Sequence, residues 1–554
     1  MLAVSDLSKT YNLQTLFSNI SFSINPGEKV GLIGPNGCGK TTLLRILAGL
    51  EPSTSGRVHK PNAWRIGYLP QDFEIDPTFT LGEVIGQAAG NIQVLENEVA
   101  VAASALEKHP SDPALADRYT GLLNRIQSAD PGRVAVILAN LGLADLDPSY
   151  SVAHLSGGQK TRLSLATILL NDPHAFLLDE PTNHLDIMML QWLEGWLSQT
   201  RSAALIVSHD RTFLNHTVSR ILVIDPREGQ LHSYAGNYDA YFEQRQTEVD
   251  KQWSEFTDQR KEIKRMKADI ARTKAQAAYT ERQASSVRIG GSEMRNAGAK
   301  DYHQGIAKKV AKKAKAREKR LDRYLESDER VKKPKEDRII RMAFDQTPHL
   351  GRSVIQLAGL DVGYDPGSPL IHFINLQVYA SQRIAITGPN GCGKTTLLRT
   401  IVGELPPLNG EVFLGQSVRI GFMSQDFSAL QAEKTAVENI SFAFPGQTET
   451  RHFLANFQIS GDEALKPAGQ LSLGQQARLM LAILVLNNCN LLILDEPINH
   501  LDILSRQEFE KALDEFKGAI LMVIHDRYFI SHFAQEVWNV EGGKIVVSGI
   551  KPYP

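Results

Sequence analysis

The stretch GPNGCGKTT stands at residues 34–42 and recurs, letter for letter, at residues 388–396. The first copy follows the apolar run KVGLIG (residues 29–34) and overlaps the helix-like run TLLRILAGL (residues 42–50). A strand, a glycine-rich loop and a helix in this order bring backbone N–H groups and the positive end of a helix dipole to a phosphate. Two identical copies make a chance match negligible, so the sequence predicts an α/β protein with two phosphate-binding loops.

The residue types in each loop have separate tasks. Lys40 and Lys394 should reach the β- and γ-phosphates of a nucleotide, and the hydroxyls of Thr41 and Thr395 should ligate Mg²⁺. The expected nucleotide contacts are Gly34, Pro35, Asn36, Gly37, Cys38, Gly39, Lys40, Thr41 and Thr42 in the first copy, and Gly388, Pro389, Asn390, Gly391, Cys392, Gly393, Lys394, Thr395 and Thr396 in the second.

The two halves carry further shared residues in the same order, which indicates a duplicated domain. The spacing is 354 positions for the pairs Lys40–Lys394 and Gln71–Gln425, and 316 for Asp179–Asp495 and His209–His525. The first half therefore has a 38-residue insertion between Gln71 and Ser156. Within it, VLENEVAVAASALEKH (94–109) and LADRYTGLLNRI (115–126) have helical patterns.

Two adjacent carboxylates end an apolar run in each half. The runs are HAFLLDEP, with Asp179 and Glu180, and LLILDEP, with Asp495 and Glu496. Two neighbouring acids repel each other at the end of a buried strand unless a cation or a proton is shared. The first acid of each pair suits Mg²⁺ coordination, and the second is placed to polarise an attacking water.

A histidine ends a β-branched run in each half, ALIVSH with His209 and LMVIH with His525. A single histidine in such a run is more often a core residue with its hydrogen bonds satisfied. The duplication and the order of the motifs favour contact with the γ-phosphate instead.

Composition and length bound the remaining possibilities. A chain of 554 residues is too long for a single hydrophobic core, so more than one domain is expected. Its content of 42% hydrophobic and 22% charged residues is ordinary for a globular protein. Cys38, Cys392 and Cys489 lack the spacing of a zinc site or a disulfide framework. No apolar run reaches the roughly 18–20 residues of a membrane span. We expect a cytoplasmic protein with no membrane contact of its own.

Residues 251–345 lack these motifs and are basic, with 27 Lys and Arg against 15 Asp and Glu. The rest of the chain is acidic, with 33 basic and 47 acidic residues. Apolar residues recur at helical spacing in two stretches, first Trp253, Phe256, Ile263, Met266 and Ile270, then Ile306, Val310, Leu321, Tyr324 and Leu325. The segment GGSEMRNAGAKDYHQG (290–305) between them is predicted as a loop, which gives an antiparallel hairpin. The positive charge of this hairpin favours binding to RNA phosphates over a role as a simple spacer between the cassettes.

Together these motifs resemble the ATP-binding cassette superfamily over both halves. LSGGQ at Leu155–Gln159 is similar to the family signature segment, Gln71 and Gln425 to its glutamine loop, and Tyr11 and Tyr364 to its adenine-stacking aromatic residue. The resemblance implies a head-to-tail pair of cassettes that share two composite sites, in which the glutamines also act at Mg²⁺. The first site would use Lys40, Thr41, Gln71, Asp179, Glu180 and His209 with Ser472, Gly474 and Gln475. The second would use Lys394, Thr395, Gln425, Asp495, Glu496 and His525 with Ser156, Gly157, Gly158 and Gln159.

The second signature segment departs from the family pattern. It reads LSLGQ, so Leu473 replaces the first glycine. Glycine permits close backbone approach, and leucine should weaken the capping of the first site. We expect two unequal sites rather than the loss of one.

Two fused cassettes with a charged helical linker resemble the ABC-F family. PTNHLD at 181–186, PINHLD at 497–502, SHDRTFL at 208–214, IHDRYFI at 524–530 and YAGNYDAY at 234–241 are similar to its motifs, although Ile498 replaces the usual threonine. The resemblance implies cassettes over 1–242 (with a helical arm at about 85–130) and 352–554, and a basic helical-hairpin linker over 243–351. It also implies a monomeric ATPase with ATP and Mg²⁺ that binds the ribosome, through ribosomal RNA and tRNA, near the exit-tRNA site.

Other functions remain open. A tandem ATPase subunit of a transporter would have a short neutral joint, a Ser-Ala-Leu-Asp-like loop and a separate membrane chain. An ATPase of DNA repair would have a far longer coil or zinc modules. Within ABC-F, a housekeeping translation factor competes with a protector against antibiotics, and the length of the linker tilts slightly toward the protector.

Overall fold

The computed structural model describes residues 1–11, 14–61, 64–70, 76–89, 92–108, 115–116, 119–120, 122, 131–225, 229–286, 293–326, 351–427, 429–498 and 501–549. The chain divides into two compact units. One comprises residues 1–241 and 338–554, and the other comprises residues 242–337.

The first copy of the repeat alternates strands and helices. Its elements are β1 (Leu2–Tyr11), β2 (Gln14–Ile24), β3 (Lys29–Ile33), α1 (Lys40–Ala48), β4 (Ser55–His59), β5 (Ile66–Leu69), α2 (Leu81–Ala89), α3 (Ile92–Lys108), α4 (Pro131–Asn140), α5 (Gly157–Leu170), β6 (Ala175–Asp179), α6 (Ile187–Gln199), β7 (Ala203–Val207), α7 (Arg211–Thr217), β8 (Arg220–Asp225) and β9 (Gln230–Ala235). Residues 115–116, 119–120 and 122 are also helical.

Two long helices follow, α8 (Tyr238–Ser286) and α9 (Glu293–Glu326). The second copy then comprises β10 (Ser353–Val362), β11 (Ile371–Tyr379), β12 (Arg383–Thr387), α10 (Lys394–Val402), β13 (Asn409–Leu414), β14 (Ile420–Met423), α11 (Ala436–Asn439), α12 (Gln447–Asn456), α13 (Leu473–Leu486), β15 (Leu491–Asp495), α14 (Ile503–Glu515), β16 (Ala519–Val523), α15 (Arg527–Phe533), β17 (Glu536–Glu541) and β18 (Lys544–Gly549).

Each copy is built on the same pair of sheets. The larger sheet has the order β5-β6-β7-β3-β8-β9 in the first copy and β14-β15-β16-β12-β17-β18 in the second. Its strands are parallel except for the last, which pairs antiparallel with its neighbour. A smaller antiparallel sheet has the order β2-β1-β4 or β11-β10-β13. The α/β fold with two cassettes predicted from the sequence is confirmed.

The larger sheet lies between two hydrophobic cores, which explains why its central strands are apolar on both faces. In β6, Ala175 and Leu177 join the core that contains α1 and the small sheet. Phe176 and Leu178 join the opposite core, with helices α5, α6 and α7. All five residues of β6 are buried. Both faces therefore hold the strand in place, so the carboxylates at its end have a fixed position.

The hairpin unit is held by contacts between α8 and α9. Arg317 pairs with Asp269 at 2.7 Å and donates to the hydroxyl of Thr273 at 2.7 Å. Ile270 and Ala314 are 8% and 3% exposed. At about 1.5 Å per residue, the 49-residue α8 is about 74 Å long.

The loop prediction for residues 290–305 is wrong from Glu293 onward, because α9 begins there. Gly298 and Gly305 each cost a helix only about 1 kcal/mol relative to alanine. Alanine, methionine, glutamine and lysine around them favour helix, so the long helix tolerates both glycines. Residues 290–292 lie outside the described residues.

Over the part of the chain that the structure describes, no helix is both long enough and apolar enough to pass through a membrane.

Gly410 provides a test of the packing between β13 and β10. Its φ is +77°, and a Cβ there would lie 2.3 Å from the carbonyl oxygen of Gly359. Gly403 also has a positive φ, +89°, but a Cβ there would have no neighbour within 4 Å. We expect Gly403→Ala to lose about 1 kcal/mol of stability from backbone strain, and Gly410→Ala to lose at least about 2 kcal/mol more because two strands must separate. Thermal unfolding of both variants tests this, and equal midpoints would contradict it.

Candidate functional site

The two phosphate-binding loops have the same internal bonding. In each, the lysine ammonium donates to the carbonyl oxygens of the first two loop residues. These bonds run from Lys40 to Gly34 (2.7 Å) and Pro35 (3.2 Å), and from Lys394 to Gly388 (2.9 Å) and Pro389 (2.8 Å). Both lysines are under 10% exposed. The backbone thus holds a buried positive charge beside amides that can face phosphate.

Each loop passes directly into a helix. Gly39 precedes α1 and Gly393 precedes α10, with φ of +97° and +100°. This left-handed conformation turns the first amides of the helix toward the loop, and glycine adopts it at little cost. Thr41 and Thr42 are half-buried in α1, whereas Thr396 is buried in α10. Cys38 is buried, so the pKa of its thiol is raised.

The carboxylate pairs end the central strands β6 and β15. Asp179 and Asp495 are 2% and 1% exposed. The next residue in each copy, Glu180 or Glu496, has φ near +50°. A glutamate rarely adopts this conformation, and such strain recurs at functional sites. The same positive φ occurs at this position in both copies, which supports a functional role for the two glutamates.

In the first site, Glu180 and His209 contact each other. Their Oε1 and Nε2 atoms lie 3.3 Å apart, and the backbone N–H of His209 donates to Glu180 Oε2 at 3.3 Å. Burial raises the pKa of Glu180 to about 7, which the charge of Lys40 opposes and that of Asp179 increases. Burial, with Lys40, lowers the pKa of His209 well below its usual value. A neutral histidine and a glutamate that titrates near neutral pH suit proton transfer to or from water.

The second site brings a third residue to its glutamate. Gln425 Nε2 donates to Glu496 Oε2 at 2.9 Å, and His525 Nε2 lies 3.6 Å from Glu496 Oε1. Burial acts to raise the pKa of Glu496, but the neighbouring His525 and the charge of Lys394 outweigh it and lower the pKa. The pKa values of the two glutamates are therefore shifted in opposite directions. Gln71, the counterpart of Gln425, lies outside the described residues.

Asp495 has the environment of a ligand for a hard cation. Both of its carboxylate oxygens are buried, and neither accepts a hydrogen bond from any residue that the structure describes. Burial raises the pKa of Asp495 to about 6, and the nearby Thr395 hydroxyl opposes this. A buried carboxylate beside a hydroxyl fits Mg²⁺, which is usually bound by one or two such groups together with phosphates and water.

The signature segments begin the helices α5 and α13. Ser156 accepts from Gln159 N at 3.3 Å while Gln159 Oε1 accepts from Ser156 N at 2.9 Å. Ser472 and Gln475 form the same capping box. The amide oxygen of each glutamine is therefore bonded at the start of its own helix, while Gln475 Nε2 donates to Glu463 at 2.7 Å. Each serine keeps its hydroxyl hydrogen for another acceptor. That these glutamines also contact the nucleotide, as the sequence predicts, stays a prediction.

The other signature positions differ between the copies. A Cβ at Gly157 would have no neighbour within 4 Å, and one at Gly158 would meet the Cβ of His184 at 3.3 Å. Leu473 occupies the position of Gly157 and is 52% exposed. Its side chain therefore adds an exposed apolar group to the surface that the resemblance assigns to phosphate.

The two predicted adenine-stacking residues are both accessible. Tyr11 is 44% exposed and Tyr364 is 70% exposed. The Tyr11 hydroxyl donates to Glu51, and the ammonium of Lys9 lies 4.7 Å from the centre of the Tyr11 ring. An accessible ring face is what stacking on a base requires.

The structure brings each phosphate-binding loop to the opposite cassette. The backbone N–H of Asn36 donates to Asp502 Oδ2 at 3.4 Å, and that of Asn390 donates to Asp186 Oδ2 at 3.3 Å. Asn390 Nδ2 also donates to the carbonyl oxygen of His184 at 2.8 Å. Because His184 lies against Gly158, the first signature segment is near the second loop. His500, the counterpart of His184, lies outside the described residues.

A second set of reciprocal contacts involves arginine. Arg211 pairs with Glu510 at 3.1 Å, and Arg527 pairs with Glu194. All four residues lie in helices α6, α7, α14 and α15, and each pair joins the two cassettes.

Sequence reasoning missed these interface residues. The pairs Asp186–Asp502, Glu194–Glu510 and Arg211–Arg527 each lie 316 positions apart, the spacing of the catalytic candidates. That shared spacing was a signal that could have found them.

Comparison with known proteins agrees with this architecture. A family model described as ABC transporter matches residues 17–183 and 371–499, and a second with the same description matches residues 224–289. The putative ATP-binding protein YdiF of Bacillus subtilis is 34% identical over 98% of this chain and 80% of its own. ABC transporter F family member 5 of Arabidopsis thaliana is 32% identical over 98% of this chain and 75% of its own.

The fold is shared with a solved structure, that of the archaeal ribosome recycling factor aABCE1 in complex with the ribosomal stalk protein aP1. The TM-score is 0.61 at 16% identity, over 98% of this chain and 90% of that one.

Replacing both strained glutamates tests their assignment. We expect the double variant Glu180→Gln/Glu496→Gln to bind ATP within about threefold of wild type and to lose ATP turnover by about 100-fold or more, because water is no longer activated. Filter binding and phosphate release measure the two quantities. Retained turnover would exclude both glutamates as the base.

The unequal signature segments predict opposite effects of exchanging their residues. Leu473→Gly should tighten ATP binding at the first site, and Gly157→Leu should weaken it at the second, each by about fivefold, or ~1 kcal/mol. Gly157→Leu is sterically tolerable because a Cβ there has no neighbour. Binding isotherms that resolve two sites check this. A shift in the same direction in both variants would contradict it.

Proposed function

The chain belongs to the ABC-F family of ATP-binding cassette proteins and is an ATPase, and from this we propose that it binds the ribosome near the exit-tRNA site and acts on translation. The observation that carries the proposal is the basic helical hairpin between two paired cassettes. The partner would be ribosomal RNA and tRNA, which places the protein in the cytoplasm. The ATPase cycle would control how long it stays bound.

We infer a division of tasks within each ATP site. The loop amides and Lys40 or Lys394 would hold the phosphates, and Glu180 or Glu496 would accept a proton from the attacking water while His209 or His525 contacts the γ-phosphate. Mg²⁺ would be held by Thr41 and Asp179, or by Thr395 and Asp495, with Gln71 or Gln425, and would neutralise charge on the β- and γ-phosphates.

Binding of ATP would stabilise the paired form of the cassettes. In that form Ser156 and Ser472 can each donate a hydroxyl hydrogen to a phosphate of the opposite site, since their oxygens already serve the helix cap. Hydrolysis removes the γ-phosphate and therefore this cross-cassette contact. ATP binding would thus fix the ribosome-bound shape, and hydrolysis would release it.

The exposed surface of α9 carries the charge that RNA binding requires. Lys308, Lys309, Lys312, Lys313 and Lys315 are all exposed within two turns. Arg317 is already engaged with Asp269 in the hairpin. The lysines are therefore available for phosphates, whereas this arginine stabilises the structure that presents them.

The hairpin is also suited to shape recognition. The contacts of Arg317 with α8 and the ion pair between Lys274 and Glu318 couple the two helices laterally. A coupled pair of helices keeps a defined length, which a flexible linker cannot. Structured RNA is bound largely through its backbone and shape, for which a rigid basic rod is appropriate.

The alternative is a tandem ATPase subunit of a transporter. The long basic linker and the Asn-His-Leu-Asp sequences at residues 183–186 and 499–502 favour the ribosome. The archaeal protein that shares the fold is named a ribosome recycling factor. Within the ribosome proposal, protection against antibiotics is the finer possibility, and drug-susceptibility testing of a deletion strain separates it from a housekeeping role.

Ribosome co-sedimentation tests the proposal. The double variant Glu180→Gln/Glu496→Gln should pellet with ribosomes in ATP and remain in the supernatant without it, because ATP is bound but not consumed. Sedimentation free of ribosomes in both conditions would exclude the ribosome as partner.

Neutralising three exposed lysines tests the part played by the hairpin. Lys312→Gln/Lys313→Gln/Lys315→Gln should reduce the slope of log affinity against log salt by about 2 to 3, because about three phosphate contacts are lost. The ATPase rate without ribosomes should be unchanged, since these residues lie far along the sequence from both sites.

The matched control removes the same charge from the cassettes. Arg57, Lys60 and Lys517 are exposed there, and their replacement by glutamine should leave the salt slope within about 0.5 of wild type. An equal loss of slope in both triple variants would show that net charge, rather than the hairpin, attracts the ribosome.

A further inference from the structure

One buried arginine breaks the correspondence between the cassettes. Arg506 lies in the first turn of α14 and is 6% exposed. The equivalent residue, 316 positions earlier in α6, is Leu190. The cross-cassette pairs Asp186–Asp502, Glu194–Glu510 and Arg211–Arg527 keep the same residue type in both copies, whereas the position of Arg506 is charged in one copy only. A buried guanidinium is costly unless its donors are satisfied, so its contacts indicate its task.

The contacts of Arg506 cross from one cassette to the other. Within its own cassette, Nε donates to the carbonyl oxygen of Leu501 at 3.0 Å and Nη1 pairs with Asp526 Oδ2 at 3.4 Å. The same Nη1 donates to the backbone carbonyl oxygen of His209 in the other cassette at 2.9 Å. The guanidinium therefore joins the start of α14 to the histidine of the first ATP site.

This bond reaches the reacting groups through a short path. The backbone N–H and the ring of His209 both contact Glu180, at 3.3 Å each. Fixing the peptide of His209 therefore fixes the glutamate beside it.

The second site has a different support. Leu190 has no donor for the carbonyl oxygen of His525. Gln425 contacts Glu496 in that site, and because its counterpart Gln71 lies outside the described residues, the glutamines do not distinguish the two sites. The first site thus uses a residue of the opposite cassette where the second site uses leucine.

We propose that Arg506 is a positioning residue that the second cassette supplies to the first ATP site, and that its bond to the His209 carbonyl aligns the His209–Glu180 pair for hydrolysis only when the cassettes are paired. This inference rests on the ATPase activity and not on the ribosome proposal. It makes hydrolysis in the first site dependent on closure by a contact that the second site lacks.

Site-resolved single-turnover hydrolysis tests the proposal. The variant Glu496→Gln reports the first site and Glu180→Gln reports the second, and an excess of full-length chain over radiolabelled ATP keeps a slow site measurable. Adding Arg506→Leu to Glu496→Gln should slow hydrolysis at the first site about tenfold or more. Adding it to Glu180→Gln should slow hydrolysis at the second site less than about twofold. The affinity for ATP should stay within about twofold in both, because the nucleotide contacts are unchanged.

Two further variants separate positioning from a general structural role. Arg506→Lys keeps the charge and a nitrogen that can donate to the His209 carbonyl oxygen, and should restore at least about a third of the lost rate. Arg506→Leu/Asp526→Asn removes the unpaired carboxylate that Arg506→Leu would leave, keeps an N-cap residue on α15, and should show the same selective loss. Lys511→Leu, which removes an exposed charge from the same helix, should change neither site.

The outcomes decide the proposal. Selective slowing in the first-site background, with ATP affinity retained and partial rescue by lysine, supports it. Equal slowing in both backgrounds, a parallel loss of ATP affinity, or rates unchanged by Arg506→Leu would overturn it, because each shows that Arg506 acts on the whole interface or not at all.

Discussion

Each phosphate-binding loop is bonded to a carboxylate of the opposite cassette, and the geometry of both ATP sites depends on this reciprocal contact. Asp186 and Asp502 each divide their two oxygens. Oδ1 accepts from the third residue of the helix that follows, at 3.0 and 2.8 Å, and Oδ2 accepts from the opposite loop. Each aspartate thus caps the helix that follows it and also binds the phosphate-binding loop of the other cassette. A movement of either loop therefore acts on the start of α6 or α14 in the other cassette, because the same aspartate contacts both.

The positive φ of Glu180 and Glu496 is likewise maintained by the surrounding structure. A positive φ costs of order 1–3 kcal/mol, and it persists only when the surrounding structure leaves no alternative. Here the strand before each glutamate is buried on both faces, and the amides of Glu180 and Glu496 are bonded to the neighbouring strand at 2.9 and 3.0 Å. Two cores and one strand pairing hold each carboxylate where it can meet water. Arg506 then adds to the first site a support from outside its own cassette.

The two sites are similar in their parts and unequal in their surroundings. The first has Leu473 in the opposing signature segment and Arg506 behind its histidine, whereas the second has Gly157 and Leu190 at these positions. Burial raises the pKa of Glu180, while His525 and Lys394 lower that of Glu496. A duplicated domain can thus keep the same catalytic residues in both copies, while differences at the interface give the two sites different rates of ATP hydrolysis. Such a difference would let one site set how long the paired form lasts.

The sequence by itself determined the duplicated α/β fold, the phosphate-binding loops, the acidic strand ends and the basic helical middle, because each depends on local pattern. Spacing and residue type were enough to place Lys40 in a strand–loop–helix unit, and Asp179 and Glu180 at the end of a buried strand. The sequence could not show that α9 begins at Glu293, since two glycines in a long helix cost less than the favourable residues around them gain. Only the tertiary structure decided which loop meets which aspartate and that Arg506 reaches His209. Those contacts join residues roughly 200 to 470 positions apart, and no local pattern encodes a distance of that kind.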